Sequence, residues 1–211
     1  MAFGFSERFN AIYQSRLWGP GSGPGSVGAP ALQFANLVRR VLDVVRPGRV
    51  VELGCGDWQV SKLVDWSGTE YLGFDVVDSL VSLNRRTYSS PKVRFQLGVE
   101  NAKDVPAFDL LVVKDVLQHW SDSDIHRFAA LIRDAPAVLV TNTTMSSGPY
   151  ELNAPIVTGR FRPLDVSRPP FNWPLVPIGS TSFVQDGGEV DIKTHLSDQR
   201  TASLLGEGRA E

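Results

Sequence analysis

Between residues 48 and 141, short apolar runs alternate with longer mixed segments in the order β-α-β-α-β-β-α-β. That alternation predicts a doubly wound, Rossmann-like α/β sheet, because right-handed crossovers between parallel strands leave few other topologies. Two further observations agree. The apolar runs lack strict polar alternation, the mark of strands covered by helices on both faces. A chain of 211 residues also fits one domain, long enough to bury a core without staples.

The elements follow in order. "ALQFANLVRRVLDVV" (31–45) spaces Leu32, Phe34, Leu37, Val38, Val41, Leu42 and Val45 at helical intervals, and Pro47-Gly48 stops it. "RVVEL" (49–53) predicts the first strand, the segment from Trp58 to Trp66 a helix, and "EYLGFDVV" (70–77) the second strand. A helix over "DSLVSLNRR" is expected to be capped by Asp78 or Ser79. "KVRFQLG", "FDLLVVKD" and "AVLVTN" supply three more strands, with a helix from about Ser123 to Arg133 between the last two. "GRFRPLDVSRPPFNWPLVP" is too proline-rich for a central strand. "STSFVQ" and "EVDIKTH" predict a terminal hairpin across Gly187-Gly188. The expected division is an N-terminal lid segment (1–30), one α/β domain (31–200) and a frayed tail (201–211).

Composition excludes several classes. Apolar residues make up 42% and charged residues 21%, and a net charge of −2 predicts no nucleic-acid partner. The single cysteine, Cys55, cannot form an internal disulfide or a cysteine zinc site alone, and no metal is expected. "MAFGFSERF" lacks a basic region followed by an apolar one, and no run reaches the ~18 apolar residues of a membrane span. A cytoplasmic protein without a membrane partner is the expectation, of unknown oligomeric state.

In an open α/β sheet, ligands bind beyond the carboxyl ends of the strands. After the first strand stands "ELGCGDW", whose Gly54 and Gly56 allow a tight turn against a ligand. Asp75 ends the second strand, where a carboxylate can accept both hydroxyls of a ribose. An adenosine-bearing cofactor is implied. A dinucleotide site wants a third glycine where this chain has Gln59, and the acidic Asp57 would repel a pyrophosphate. S-adenosylmethionine carries no phosphate, and its sulfonium and amino groups suit Glu52 and Asp57.

From here the chain resembles a known family. "VVELGCGD" followed by "YLGFDVV" resembles the first two signature segments of class I S-adenosylmethionine-dependent methyltransferases. "LWGPGSGPGS", "CGDW", "LGFDVVDSLVSLN", "FDLLVVKDVLQH", "TNTT" and "GRFRPLDVSRPPF" run in the order of a small bacterial subgroup, over about residues 8–175. The resemblance implies that Glu52, Gly54, Cys55 and Gly56 form the turn beneath the methionine part of the cofactor, with Asp75 on the ribose. Where the family usually has an aspartate near adenine, this chain has Val99, then Glu100. Adenine is then expected to meet either Glu100 or a backbone carbonyl.

The acceptor side is read from "KDVLQH". Lys114 and Asp115 end the fourth strand, and a helical turn starting there would put Asp115 and His119 on one face. His119, oriented by Asp115 and with a near-neutral pKa, would be a general base for methyl transfer to a hydroxyl. The other reading makes Asp115 a ligand for the cofactor's amino group and His119 a packing residue. His126 and His195 are expected at the surface, and Trp58, Trp66 and Trp120 in the core or at its rim. The glycine-rich stretch 17–26 reads as a lid, with Trp18, Ser22 and Ser26 turned to cofactor or acceptor; a disordered linker is the alternative. Arg160 and Arg162, with Arg168 nearby, would form the opposite wall and suit an anionic or glycosylated acceptor. The functional expectation is methyl transfer from S-adenosylmethionine to a small molecule, at oxygen before nitrogen. A non-catalytic cofactor-binding protein or regulatory partner is the rival, and DNA amino-methylation is disfavoured because no Asp/Asn-Pro-Pro-aromatic motif follows the fourth strand.

Overall fold

The computed structural model describes residues 5–19, 21–98, 102–146, 149–185 and 188–198. Helices α1 (Phe5–Gln14) and α2 (Gly28–Val45) precede β1 (Arg49–Leu53), β2 (Glu70–Asp75), α3 (Asp78–Tyr88) and β3 (Val93–Leu97). Then come β4 (Leu110–Lys114), α4 (Asp122–Arg133), β5 (Ala137–Ser146), β6 (Val176–Gln185) and β7 (Gly188–Asp198). They form one seven-stranded sheet in the order β3-β2-β1-β4-β5-β7-β6. The first five strands are parallel, and β7 runs antiparallel between β5 and β6.

The core explains why neighbouring residues of one strand are both apolar. Val50 and Val51, Leu110 and Leu111, and Leu139 and Val138 point to opposite faces, and each pair divides between two buried clusters. Phe34, Val38 and Val41 of α2 cover one face; Ile125, Phe128 and Ile132 of α4 cover the other. Their spacing is the helical one the sequence displays. Each such buried side chain contributes about 1.5–3 kcal/mol.

Helix α2 begins at Gly28, three residues before the predicted start, because Pro30 sits in its first turn where its missing N–H costs nothing. Its end is the predicted one: Arg46 adopts φ +48° and donates to the Leu42 carbonyl at 2.9 Å. Ser121 caps α4 by accepting from the Asp124 N–H.

Four expectations are corrected. Residues 58–66 are turns around a single 3-10 turn (Ser61–Leu63), not a helix. Trp58 stands at φ +58°, outside helical geometry, and Val64 is already extended. Helix α3 has Val77 at its N-cap with no side-chain cap; Asp78 is its first residue. His195 is buried, because β7 is an interior strand whose His195 lies opposite Val140. The terminal hairpin holds but is longer than read. Pro177 is tolerated in β6 since that strand is the sheet's edge. The hairpin's Gly187, and the tail 201–211, lie outside the described residues. No helix among those described is long and apolar enough to cross a membrane.

Candidate functional site

The strand order reverses between β1 and β4: the chain steps outward to β2 and β3, then returns to pair β4 with β1. Where β1 and β4 end, a cavity of about 760 Å³ opens. That is the location at which open α/β sheets bind ligands.

The glycine turn forms its floor. Gly54 (φ +71°) and Gly56 (φ +55°) hold the left-handed backbone that other residues resist. The Phe74 carbonyl accepts from Gly54 N at 2.8 Å and Cys55 N at 2.9 Å, tying the turn to β2. Asp75 is 7% exposed, and its two oxygens accept from Gly56 N and Val77 N, each at 2.9 Å. Burial nevertheless raises its pKa to about 6, against the lowering effect of those bonds. Glu52 is buried beside it, accepts from the Ser61 hydroxyl at 2.6 Å and from the Tyr71 hydroxyl, and is also raised by burial. Burial pushes the Cys55 thiol well up, assisted by Asp75 and Glu52, which makes it a small packing group and no nucleophile.

The described residues of the stretch 17–26, which leave out Pro20, fold back over this floor. Ser22 is clamped to Asp57: its hydroxyl donates to Oδ1 at 2.8 Å and accepts from Asp57 N at 3.1 Å, while its N–H reaches Oδ2 at 3.3 Å. Tyr13 of α1 shares a 2.8 Å hydrogen bond with the same hydroxyl. The approach is so close that a Cβ on Gly56 would run into Ser22 Oγ, and one on Gly21 into Asp57. Asp57, expected to face the cofactor, therefore holds the lid. Ser26 donates to the Ser22 carbonyl at 3.4 Å, so it braces the loop. At its far end the Gly25 carbonyl accepts from Lys114 Nζ at 3.1 Å.

Lys114 is 8% exposed, pairs with Asp115, and lies 5.5 Å from the Phe34 ring centre. Asp115 takes φ +55°, which turns the chain out of β4 and delays the next 3-10 turn to Leu117–His119. The predicted helical face shared by Asp115 and His119 is not formed. Instead, Asp115 Oδ1 is buried without a hydrogen-bond partner among the described residues. His119 is oriented by the Arg160 carbonyl, 3.0 Å from Nδ1. A carbonyl only accepts, so Nδ1 carries the proton and Nε2 keeps a free lone pair. Burial lowers the His119 pKa to about 4, below the near-neutral value expected from its type, although the Arg160 carbonyl and Asp115 pull upward. The Trp18 ring lies 4.6 Å from the imidazole and the Phe161 ring 5.9 Å.

The remaining predicted residues divide. Arg160 lines the cavity with its side chain exposed. Arg162 does not line it: the guanidinium is buried, binding Asp122 at 2.5 Å, Ala154 O at 2.7 Å and Trp120 O at 3.0 Å, as the brace behind the wall. Arg168 lies 3.6 Å from Asp165, away from the cavity. His126 is exposed, Trp58 and Trp66 are core, and Trp120 is buried at the cavity edge. Val99 and Glu100 lie outside the described residues. Among those described, no cluster of His, Cys, Asp or Glu could hold a metal ion.

Sequence reasoning missed Gln118, Thr143, Phe161 and the aromatic face of α1, all of which line the cavity. Gln118 had one available signal, its place between Asp115 and His119. The aromatics of α1 had none, since nothing local says that a helix outside the sheet folds onto its open edge.

Comparison with protein-family models finds no match, and neither does comparison with curated proteins. Comparison with solved structures does. An N-methyltransferase of Bradyrhizobium japonicum, solved with S-adenosylhomocysteine, superposes with a TM-score of 0.62 at 13% identity, covering 90% of this chain and 98% of its own. A 1,6-didemethyltoxoflavin N1-methyltransferase of Burkholderia thailandensis gives 0.59 at 15% identity, covering 92% and 87%. The magnesium protoporphyrin IX methyltransferase of Synechocystis, with S-adenosylmethionine bound, gives 0.56 at 12%, covering 93% and 99%. The fold is that of the class I methyltransferases. At such identities the likeness speaks for the fold alone, and the chemistry rests on the cavity.

Proposed function

We propose that the chain is an S-adenosylmethionine-dependent methyltransferase acting on a small molecule, at a hydroxyl oxygen. One observation carries the reading. The cavity at the strand switch point is lined by a glycine turn and four carboxylates, Glu52, Asp57, Asp75 and Asp115, against two cations, Lys114 and Arg160. Lys114 is already paired. That balance repels a pyrophosphate and suits a cationic adenosine cofactor. The donor set also fits its parts. Asp75 stands where a carboxylate meets ribose hydroxyls, and the unpartnered Asp115 Oδ1 suits an ammonium group. The solved structures that share this fold include ones with that cofactor or its demethylated product bound.

When bound, the cofactor supplies an electrophilic methyl group on its sulfonium. The chain's own residues do the rest. His119 is neutral above about pH 4 and offers Nε2 as a hydrogen-bond acceptor to the reacting hydroxyl. As the oxygen is alkylated its proton passes to Nε2, and the low basicity of that nitrogen returns it to water. Trp18 and the 17–26 loop, latched through Ser22 and Asp57, keep solvent from the transfer. The protein is expected to act in the cytoplasm.

S-adenosylhomocysteine at a hundredfold excess over Kd should stabilise the protein by about 2.7 kcal/mol in thermal melts, while NAD leaves it unchanged. Labelled cofactor should then pass its methyl to members of a panel of hydroxylated small molecules. A response to NAD with none to S-adenosylhomocysteine would overturn the assignment.

A further inference from the structure

On the methyltransferase reading just given, we propose that the acceptor is a planar, uncharged aromatic compound, and that Gln118 selects it by donating a hydrogen bond to an acceptor atom on its edge. Aromatic rings dominate the cavity around His119. Trp18 comes from the lid, Phe161 and Tyr150 from the segment after β5, Trp120 from the turn before α4 and Phe128 from the middle of α4. The rings of Trp18 and Phe161 lie 4.6 and 5.9 Å from the imidazole, and Tyr150 meets Phe161 edge-on at 5.1 Å. Walls of this kind gain most from a flat π-surface.

Charge points the same way. An anionic acceptor would enter a cavity with four carboxylates, whose buried cation Lys114 is held by Asp115. Arg160 stands exposed, and Arg162 and Arg168 do not line the cavity. A sugar needs many hydrogen-bond partners, and the aromatic walls supply few.

Gln118 is 6% exposed and lines the cavity. Its Oε1 accepts from Thr143 N at 2.7 Å. A backbone amide can only donate, so this bond fixes which end is oxygen. The amide nitrogen donates to no group among the described residues, and the side chain lines the cavity. His119 Nε2, in the next residue, is a bare acceptor. The turn Leu117–His119 therefore presents one donor and one acceptor. Their complement is a ring with a hydroxyl and, elsewhere on its edge, a carbonyl or ring nitrogen. The Thr143 hydroxyl can serve either way and discriminates little.

The test is calorimetric titration of the protein saturated with S-adenosylhomocysteine, where no turnover intervenes. The probes are 6-hydroxyquinoline and meta-hydroxyacetophenone (separate donor and acceptor), naphthol (donor only), benzoate (anion) and mannitol (polyol). The first two should bind most tightly, naphthol more weakly, and benzoate and mannitol not at all. Gln118→Glu keeps an oxygen for Thr143 N and removes the donor. It should weaken the first two by about tenfold or more, leave naphthol as it was, and leave S-adenosylhomocysteine affinity intact. Trp18→Leu should weaken all three arenes together. If S-adenosylhomocysteine binds but benzoate or mannitol is preferred, or if Gln118→Glu weakens naphthol equally, this inference fails and the cofactor reading stands. If wild-type protein does not bind S-adenosylhomocysteine, both fail.

Discussion

Replacing Asp75 by Asn should remove a pH-dependent loss of stability in the ligand-free protein while abolishing most of its affinity for S-adenosylhomocysteine. Asp75 titrates at about 6 in the folded chain against 3.8 for an ordinary aspartate, because burial penalises its charge. Its folded pKa is raised, so the protonated carboxyl is the form that folding favours. That contribution is whole below about pH 4 and is lost as pH rises through about 6. Two pKa units correspond to about 3 kcal/mol, a ceiling on what the ionised group costs at pH 7. Asn keeps the shape without the charge, but its NH2 cannot accept, so one of the two backbone N–H groups now bound by Asp75 loses its acceptor. That loss is the same at every pH, so relative to wild type the variant should gain up to about 3 kcal/mol between pH 4 and pH 7. A chain of this size gains about 2–4 °C of melting temperature per kcal/mol. Loss of charge-assisted bonds to the ribose should cost about 1.5–3 kcal/mol of binding, roughly ten- to a hundredfold in Kd. The assay is urea unfolding from pH 4 to pH 8, with and without S-adenosylhomocysteine. Equal destabilisation across that range, or wild-type affinity in the variant, would refute the reasoning.

Three other changes probe the rest of the site. His119→Gln should cut turnover by about a hundred- to ten-thousandfold with cofactor affinity unchanged. Since burial holds the wild-type imidazole near pKa 4, the pH–rate profile should show no histidine limb between pH 5 and 8, and a limb near 6.5 would sink that account. Ser22→Ala removes the hydroxyl joining Asp57 and Tyr13, so limited proteolysis within 17–26 should quicken and S-adenosylhomocysteine should protect less. The lid reading fails if cleavage is unchanged. Asp165→Asn should behave oppositely to the Asp75 variant, losing about 2–4 kcal/mol at pH 7 in the same unfolding experiment. Equal stability to wild type would mean that the groups around Asp165 contribute nothing.

The parallel sheet was legible because both its signals are local. Apolar strands announce burial on two faces, and helical spacing in α2 announces which of its own faces is buried. Gly54, Gly56 and Asp75 were legible for a similar reason: left-handed turns favour glycine, and the strand ends follow from the strands. What failed was geometry set by single backbone conformations. The left-handed Trp58 broke a predicted helix, and the left-handed Asp115 separated a predicted acid–histidine pair. Burial by distant segments was equally invisible. Arg162 reads as an acceptor-wall residue until Asp122 and two carbonyls close on it, and His195 as a surface residue until β7 proves to be interior. The pKa of His119 belongs with these, because the rings that dry it come from three separate stretches of chain.

Two aspartates of this chain are a control for each other. Asp75 and Asp165 are both nearly buried, at 7% and 3% exposure. Around Asp165 the fold has gathered Ser167 N and Oγ at 3.1 and 2.5 Å, His195 at 3.7 Å, Arg168 at 3.6 Å and Lys193 at 4.0 Å. Its pKa is lowered: desolvation pulls it up, and the Ser167 bonds with the His195 and Lys193 fields together pull harder the other way. A depressed carboxylate contributes stability above its ordinary pKa and loses it only as pH falls, which is how a structural acid behaves. Asp75 lies on the cavity with backbone N–H partners, no cation paired to it among the described residues, and a raised pKa. Nothing in the fold compensates it as Asp165 is compensated. Asp115 is paired with Lys114 through Oδ2, but its Oδ1 is buried on the same cavity without a partner among the described residues. A chain able to surround one carboxylate this thoroughly leaves two others under-satisfied at the strand switch point. Both lie where a ligand rich in hydroxyls and positive charge would complete them, so the pH-dependent cost that Asp75→Asn should remove is one that a binding site would carry.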